Sequence, residues 1–463
     1  MRMYRREFLR AISISALGMT TIGHSPATEE EHRDMDDKRN PNIIYILMDD
    51  LGYGDLGCYG QKLMRTPNVD TLAAEGVKFT QHYSGSTVCA PSRCCLMTGF
   101  HTGHARVRSN ARIPLRPEDI TVAEVLKNAG YTTGIFGKWG IGEPETTGIP
   151  NKKGFDEWFG YLNQGHAHNY YPHHLWRNRQ QQWIKENVTG RKDVYSHDLI
   201  VQESLKFIQQ NKDNPFFLYL AYTLPHANNE MGRETGNGIE IPSDEPYSEE
   251  PWPQQERNFA AMIAKMDDDV GRIMSLLKEA GIDDNTVVFF TSDNGPHKEG
   301  GHDADFFKSS GPLRGIKRDL YEGGIRVPMI ARWPGKVKPG TVSDQVWSFW
   351  DFLPTAAEIA GVKPPEDIDG ISMLPALLHQ PQQDPEYLYW EFQQRKFKQA
   401  VRMDDWKGVR LSLNGQMELY NLRDDIGEKS NVADKHPQIV RKMAHIMQTA
   451  RVDSPEFPIS ERG

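Results

Sequence analysis

Uninterrupted runs of apolar residues recur along the chain and alternate with segments of helical periodicity. Apolar, partly β-branched runs are typical of strands that are buried on both faces of a parallel sheet. Such runs occupy residues 42–48, 131–136, 216–222, 286–291 and 327–333. Apolar positions at helical spacing predict helices over residues 121–129, 196–210 and 258–280. This alternation predicts a doubly wound α/β sheet flanked by helices.

A second, smaller unit is predicted at the carboxyl end of the chain. Proline and glutamine become frequent between residues 364 and 385, which indicates a boundary. We therefore expect a main domain over 41–375 and a smaller one over 376–463. In the smaller unit, short apolar runs predict strands at 387–392, 400–402, 408–413 and 418–421, and a closing helix at 437–450. This pattern predicts a small antiparallel α+β domain.

The first 27 residues resemble a twin-arginine export signal. Arg5 and Arg6 precede a 13-residue apolar stretch, which is followed by small residues that suit a signal peptidase. This stretch is shorter than the roughly 20 residues that span a bilayer as a helix, so no stable membrane anchor is expected. The alternative is an ordinary basic amphipathic terminus. We expect export to the periplasm or medium, with the acidic residues 28–40 as a solvated spacer.

Composition narrows the possible partners. The chain has 463 residues, of which 38% are hydrophobic and 25% charged, as in soluble globular proteins. Its net charge of -9 does not favour broad binding of nucleic acid, so any anionic substrate must be held by local cations. The four cysteines, at 58, 89, 94 and 95, are too few and too unevenly spaced for a disulfide framework or a four-cysteine zinc site.

Two pairs of oxygen-bearing side chains follow predicted strands directly. Asp49 and Asp50 follow the first strand, and Asp293 and Asn294 follow the strand at 286–291. Ligands of open parallel sheets bind beyond the carboxyl ends of the strands, so both pairs are expected at one crevice. Carboxylate and amide oxygens suit Ca²⁺ or Mg²⁺ better than zinc. The alternative is that these are unrelated surface turn residues.

The most specific motif is the run CAPSRCCLMTG over residues 89–99. It resembles the signature of the type I sulfatases, C-x-P-S-R followed by L-T-G, and only Met97 departs from it. In that family the first cysteine is oxidised to formylglycine by a dedicated generating enzyme. The resemblance therefore implies that Cys89 supplies the nucleophile, whereas the plain alternative is a buried, inert thiol.

Further blocks resemble the same family in the same order. They are GKWG at 137–140, LPH at 224–226, LRGIK at 313–317 with YEGG at 321–324, and DFLPT at 351–355. The resemblance extends from about residue 40 to 433. It implies an alkaline-phosphatase-like fold, a doubly wound mixed sheet flanked by helices with a smaller C-terminal antiparallel α+β domain, in agreement with the strand pattern.

The resemblance also implies a role for individual residues. A sulfate ester is anionic and spreads further charge as its S–O bond breaks, so its site needs fixed cations and a divalent metal. The implied metal ligands are Asp49, Asp50, residue 89, Asp293 and Asn294, and the metal is commonly calcium. Arg93 would stabilise the nucleophile and the ligands, Lys138 and Lys317 would hold sulfate oxygens, and His226 would protonate the leaving oxygen. The alternatives are surface lysines and a core histidine.

One position departs from the family pattern. The family usually has a histidine after G-K-W, and this chain has Gly140. The group that would take a proton from the sulfated nucleophile is therefore missing from its expected place. We hypothesise that His166 or His168, in the nearby GHAH segment, supplies a substitute. The alternative is that the reaction tolerates the loss.

The remaining signals concern the substrate. Residues 155–183 contain eight aromatic residues, which predicts either a sugar-binding rim or rings that pack the segment onto the sheet. We expect His166, His168 and, from a second polar segment at 299–308, His302 to contact substrate. These segments resemble bacterial polysaccharide sulfatases that remove 4-O-sulfate from galactose or N-acetylgalactosamine. The alternatives are a phosphatase or phosphodiesterase of the same fold and a non-catalytic glycan-binding relative.

Overall fold

The structure is a computed structural model that describes residues 39–394 and 396–459. The predicted export signal, and residues 28–38 of the predicted spacer, lie outside these ranges. Within them, no helix combines the length and the apolar character that crossing a membrane would need.

The strands form a large mixed sheet and a small antiparallel one. The strands of the large sheet are β1 (Asn42–Asp49), β2 (Val77–Tyr83), β3 (Thr132–Lys138), β4 (Glu157–Tyr161), β5 (His174–Arg177), β6 (Gln180–Trp183), β7 (Phe216–Pro225), β8 (Thr286–Ser292), β9 (Arg326–Arg332), β10 (Thr341–Ser343) and β11 (Trp347–Ser348). The small sheet contains β12 (Leu388–Gln393), β13 (Phe397–Met403), β14 (Trp406–Arg410) and β15 (Met417–Asn421).

The centre of the large sheet is parallel. The strand order is β10-β2-β9-β8-β1-β7-β3-β4-β5-β6, and β11 pairs with β2. Strands β8, β1, β7, β3 and β4 run parallel, whereas β9 is antiparallel to both of its neighbours. All eight residues of β1 are buried, which explains its uninterrupted apolar run. The carboxyl ends of these parallel strands therefore meet at one edge, and the predicted α/β sheet is confirmed.

Helices cover both faces of the large sheet. The helices of the described residues are α1 (Pro67–Ala74), α2 (Cys89–Thr98), α3 (Val122–Asn128), α4 (Gln164–Ala167), α5 (Ser196–Asn211), α6 (Asn229–Thr235), α7 (Gln254–Glu279), α8 (Glu322–Ile325), α9 (Phe352–Ile359), α10 (Leu374–Leu377) and α11 (Pro437–Thr449), the last of which packs on the small sheet. Helices α1, α5 and α7 bury their apolar faces in one core, and α2, α3 and α9 in the other. The two cores enclose the sheet, as the sequence pattern predicts.

The small sheet packs against the main body through its first strand. The Trp390 ring lies 5.4 Å from the Tyr83 ring and 5.7 Å from the Trp350 ring. Its indole N–H donates to the Ser84 carbonyl at 3.0 Å. On the other side, α11 buries Met443 and Met447 against the sheet. The predicted C-terminal antiparallel α+β arrangement is confirmed.

The aromatic segment at 155–183 is mainly a packing element. Its chain forms β4, α4, β5 and β6, and Phe155, Trp158, Phe159, Tyr161 and Tyr170 are buried. By contrast, 59% of Trp183 is exposed. The packing alternative therefore describes most of these rings, because β4 lies inside the sheet and turns its side chains into both cores.

Candidate active site

Cys89 is the first residue of α2 and lies at the carboxyl edge of the sheet. The helix begins after Val88, whose side chain gives no cap; instead the Ala90 N–H donates to Asn110 Oδ1 at 2.9 Å. The Cys89 Sγ lies 3.3 Å from Asp49 Oδ1. Burial and the Asp49 carboxylate raise the pKa of the thiol far above its usual range. An unmodified Cys89 is thus a protonated thiol and a poor nucleophile.

Asp49, Asp50, Asp293 and Asn294 converge beside Cys89. Successive side chains of a strand point to opposite faces, but Asp50 has a φ of 70°, and this left-handed turn sends both aspartates into one crevice. The Asp50 N–H donates to Asp293 Oδ1 at 3.2 Å, and Asn294 Nδ2 donates to Asp50 Oδ1 at 2.7 Å. All four side chains are buried. The two predicted ligand pairs therefore meet, as strands β1 and β8 are neighbours.

The donor set fits a hard divalent cation. Asn294 Oδ1 is buried and has no hydrogen-bond partner among the described residues, and such an orphaned acceptor is costly unless a ligand satisfies it. Ligand atoms of Asp49, Asp50, Cys89 and His226 all lie within 4.8 Å of one another. Three carboxylates and an amide oxygen are the ligands that Ca²⁺ and Mg²⁺ prefer.

Three buried cations balance the carboxylates. Lys138 Nζ lies 2.6 Å from Asp49 Oδ2, and Lys317 Nζ lies 2.7 Å from Asp50 Oδ2. Arg93 Nη2 lies 2.8 Å from Asp293 Oδ2 and 3.4 Å from Asp49 Oδ2. Although burial alone would raise the pKa of Asp49, the nearby cations, Lys138 foremost, hold it well below its ordinary value.

Arg93 holds Asp293 in place. Its Nε and Nη2 both donate to Asp293 Oδ2, at 3.0 and 2.8 Å, and its Nη1 donates to the Lys138 carbonyl at 2.6 Å. Burial and the Asp49 carboxylate nevertheless raise the pKa of Asp293 to about 7. Because burial is the main cause, a divalent cation beside Asp293 would favour its charged form.

His226 follows the last residue of β7 and faces the same cluster. Its Nδ1 lies 2.7 Å from the Ala227 carbonyl and therefore carries the proton. Its Nε2 lies 3.2 Å from Lys317 Nζ and 3.5 Å from Asp50 Oδ2. Burial and the positive charge of Lys317 lower the pKa of His226 to about 3, so the ring is neutral. The proton nearest to Nε2 is on the Lys317 ammonium.

The three histidines predicted to contact substrate lie in different places. His168 stacks on His226 with ring centroids 5.1 Å apart. His166 turns away, because its Nε2 bonds to the His174 carbonyl at 2.9 Å. His302 is 3% exposed and stacks on the Phe259 ring at 3.8 Å, so it does not line the cleft as expected. The residues around His302 in the sequence are polar, so the sequence gives no sign of its contact with Phe259 of α7.

The space beside Gly140 is filled by another side chain. A Cβ atom at Gly140 would lie 2.5 Å from Gln164 Nε2, and the backbone there has a φ of +85°. Gln164 Oε1 is buried and has no hydrogen-bond partner within the described ranges. An amide has no basicity, so the substitute base that the sequence calls for does not come from this position.

Sequence reasoning missed Glu230, His297 and the specific role of Glu299. Glu299 Oε2 lies 3.5 Å from Lys317 Nζ, and its Oε1 lies 2.6 Å from Arg318 Nη1. His297 lies behind His226, with ring centroids 6.1 Å apart. Its position three residues after Asn294 was an available signal. No comparable signal marks Glu230, whose partner His168 is distant in sequence.

Comparison with known proteins agrees with this geometry. Residues 41–362 match the sulfatase family, and residues 316–453 match the N-sulphoglucosamine sulphohydrolase C-terminal family. The chain therefore belongs to the sulfatase family, and its fold is that of the alkaline-phosphatase-like sulfatases.

Individual relatives resemble the chain in sequence, and solved structures resemble it in fold. N-acetylgalactosamine-6-sulfatase from Rattus norvegicus is 37% identical over 371 residues, which is 73% of this chain and 66% of the rat protein. Human arylsulfatase A is 34% identical over 381 residues, 73% of this chain and 68% of that protein. The crystal structure of Ps i-CgsB in complex with k-i-k-neocarrahexaose matches with a TM-score of 0.77 and 29% identity, covering 89% of this chain and 92% of that one. The chain thus spans about two thirds of the curated relatives' length.

Proposed function

We propose that the chain hydrolyses sulfate monoesters of carbohydrates, with residue 89 as the nucleophile after conversion from cysteine to formylglycine. The observation that carries this proposal is the convergence on Cys89 of a buried oxygen-ligand set and buried cations. A sulfate ester carries its charge on the non-bridging oxygens, and donors fixed in a dry site stabilise the further charge of the transition state.

The metal in this proposal is held by Asp49, Asp50, Asp293 and Asn294, together with residue 89. Ca²⁺ is the expected ion and Mg²⁺ the second candidate. When bound, the cation supplies positive charge next to a sulfate oxygen. The unpartnered Asn294 Oδ1 and the buried Asp293 carboxylate, whose charged form a cation would favour, support this assignment.

The lysines bind the sulfate group in this proposal. Each ammonium has three N–H donors, and Lys138 uses one of them on Asp49, so two are left for sulfate oxygens. Lys317 contacts Asp50, His226 and Glu299, so it acts on the sulfate group mainly through its positive charge. Arg93 orients Asp293 and Asp49. His226 in its imidazolium form protonates the leaving sugar oxygen from Nε2 after taking that proton from water, while Lys317 keeps its protons and its charge for the sulfate group.

Conversion of Cys89 is favoured over use of the free thiol. The thiol is buried next to a carboxylate, and both conditions hold it in the unreactive protonated form. Formylglycine supplies a hydrated aldehyde whose hydroxyl attacks sulfur, and it requires a formylglycine-generating enzyme as a maturation partner. Export by the twin-arginine route, a part of this proposal, would allow that conversion to precede translocation.

We propose galactose or N-acetylgalactosamine as the sulfated sugar. The sequence resemblance favours the 4-O-sulfate, whereas curated relatives such as the rat enzyme are named for the 6-sulfate of N-acetylgalactosamine. The complex of Ps i-CgsB with a neocarrahexaose adds a structural relative that binds a carbohydrate. We predict the 4-O-position for the sulfate that is removed, and the 6-O-position is the alternative.

Sulfate release from defined sugars tests the proposal. Ion chromatography would follow 4-O- and 6-O-sulfated galactose and N-acetylgalactosamine in the presence of Ca²⁺, after peptide mass analysis has confirmed conversion of residue 89. We expect the wild type to release sulfate from the 4-sulfates and Lys317→Ala to release none. Lys336→Ala, a surface control, should release sulfate as the wild type does. Release from the 6-sulfates alone would contradict the predicted position, and release from none of the sugars would contradict the substrate.

A further inference from the structure

His168 lies one ring away from the ion cluster. Its ring is nearly parallel to that of His226, with the planes 15° apart. His226 in turn lies 3.5 Å from Asp50. The His168 side chain is 18% exposed, so a molecule in the cleft can reach it. His168 therefore lies next to His226, which in the proposed function faces the leaving sugar.

Glu230 fixes the protonation of His168. Its Oε2 lies 2.8 Å from His168 Nδ1. A carboxylate only accepts hydrogen bonds, so Nδ1 carries the hydrogen, and a neutral ring then has its lone pair on Nε2. Burial and the nearby Lys138 lower the pKa of His168, which keeps the ring neutral. Within the described ranges, His168 Nε2 has no hydrogen-bond partner.

The other imidazoles that face the ion cluster have no such free acceptor. Both nitrogens of His226 and both nitrogens of His297 are engaged. The His166 ring donates from Nε2 to the His174 carbonyl and is turned away from the cluster. Among the rings that face the cluster, His168 therefore offers the acceptor that is open to a ligand.

Glu230 is itself well positioned. It lies in the first turn of α6, the helix that follows directly after the segment carrying His226. Its second oxygen, Oε1, accepts from Arg233 Nη2 at 2.8 Å, so the two carboxylate oxygens have separate partners. The short segment 226–230 thus carries both His226, the proposed proton donor, and Glu230, which orients the neighbouring His168.

We propose that Glu230 and His168 form a recognition dyad in which His168 Nε2 accepts a hydrogen bond from a hydroxyl of the sulfated sugar. His168 is the specificity residue and Glu230 is its positioning residue. The inference rests on the proposed function, because it assumes that the leaving group is a sugar. It assigns the dyad to substrate recognition and not to proton transfer at residue 89.

Two substrates separate recognition from chemistry. A sugar sulfate carries hydroxyl groups beside the ester, and 4-nitrophenyl sulfate carries none. We expect His168→Ala and Glu230→Ala to lower kcat/KM for the sugar sulfate about tenfold more than for the aryl sulfate, the size of one lost hydrogen bond to a fixed acceptor. Glu234→Ala, an exposed change on the same helix, is the matched control and should leave both rates unchanged.

Two further variants test the positioning role. Glu230→Gln retains a carbonyl acceptor for the Nδ1 hydrogen and should restore most of the sugar selectivity. Because Glu230 acts only through His168, the double variant should lose no more than His168→Ala alone. A merely structural role of Glu230 would produce neither result.

The outcomes are distinguishable. Equal losses on both esters would overturn the dyad and favour the hypothesis that His168 takes part in the chemical step. No loss in Glu230→Ala would overturn it as well. If the unmutated enzyme cleaves the aryl ester but no sugar ester, the proposed substrate fails. Calorimetric binding of the sugar sulfate to Cys89→Ala protein, with and without Glu230→Ala, repeats the comparison without turnover, and equal affinities would overturn the dyad.

Discussion

Gly140 separates this chain from the usual family pattern, and its environment predicts the effect of restoring the histidine. In Gly140→His the new Cβ atom would lie 2.5 Å from Gln164 Nε2, closer than real contacts of a Cβ. The backbone φ of +85° adds strain for any side chain. Gly130 is a matched control, because it has a φ of +88° and nothing within 4 Å of its Cβ position.

The two contributions can be estimated separately. A left-handed backbone costs an L-residue about 1–2 kcal/mol, and this applies at both glycines. A Cβ atom alone would only displace the end of the flexible Gln164 side chain, but a whole imidazole ring needs the space that Gln164 fills, and this overpacking adds about 1–3 kcal/mol at residue 140 alone. We therefore expect Gly130→His to lower the free energy of unfolding by about 1–2 kcal/mol and Gly140→His by about 2–5 kcal/mol. Adding Gln164→Ala to Gly140→His should recover the overpacking part.

Urea unfolding of the three variants measures these differences in free energy of unfolding. The dependence of that free energy on urea concentration should be the same in all of them. The predicted order of stability is wild type, then Gly130→His, then Gly140→His, with the Gln164→Ala double variant close to Gly130→His. If Gly140→His is no less stable than Gly130→His, Gln164 does not occupy the space beside residue 140.

Three further predictions concern stability. His82 is buried without a hydrogen-bond partner among the described residues, and burial lowers its pKa well below 6.5. The unfolded chain therefore binds an extra proton at His82 below about pH 6.5, and this residue contributes a fall in stability of up to about 1.4 kcal/mol per pH unit there. Other buried histidines such as His226 add their own share, so His82→Phe should reduce the slope by the His82 share in urea titrations at pH 5 and 7. Lys407 Nζ is buried, 2.7 Å from Glu322 and 3.6 Å from Glu428. Lys407→Met should therefore lower the free energy of unfolding in urea by about 3–5 kcal/mol, because it leaves buried carboxylates without their cation. An unchanged free energy of unfolding would contradict a compensated ion cluster. Ca²⁺ added to chelator-treated protein should raise its melting temperature, and Asp293→Ala should abolish the rise; an equal rise in the variant would contradict the metal assignment.

The centre of the fold was predictable because burial on both faces leaves an uninterrupted apolar run. β1 and β8 are buried along their full lengths and stand out for this reason. β2 was not predicted, since it alternates apolar and polar residues and lies near the edge of the sheet. α7 starts at Gln254, four residues before the predicted start, since Pro253 rather than an apolar position ends the preceding loop.

The site was predictable where its residues follow strands directly. Asp49 and Asp293 could be placed together because parallel strands end at one edge. Contacts of loop residues with distant helices left no such signal. His168 meets Glu230 of α6 across 62 residues of sequence, and His302 meets Phe259 of α7. Loop residues lack the periodicity that fixes which face of the molecule a side chain occupies.

The decisive experiment is side-by-side hydrolysis of 4-nitrophenyl sulfate and 4-nitrophenyl phosphate, by the wild type with converted residue 89 and by Cys89→Ala. We expect the sulfate ester to be the preferred substrate and Cys89→Ala to lose its hydrolysis. Preference for the phosphate ester would favour a phosphatase of the same fold. Sulfate hydrolysis that persists in Cys89→Ala would show that residue 89 is not the nucleophile.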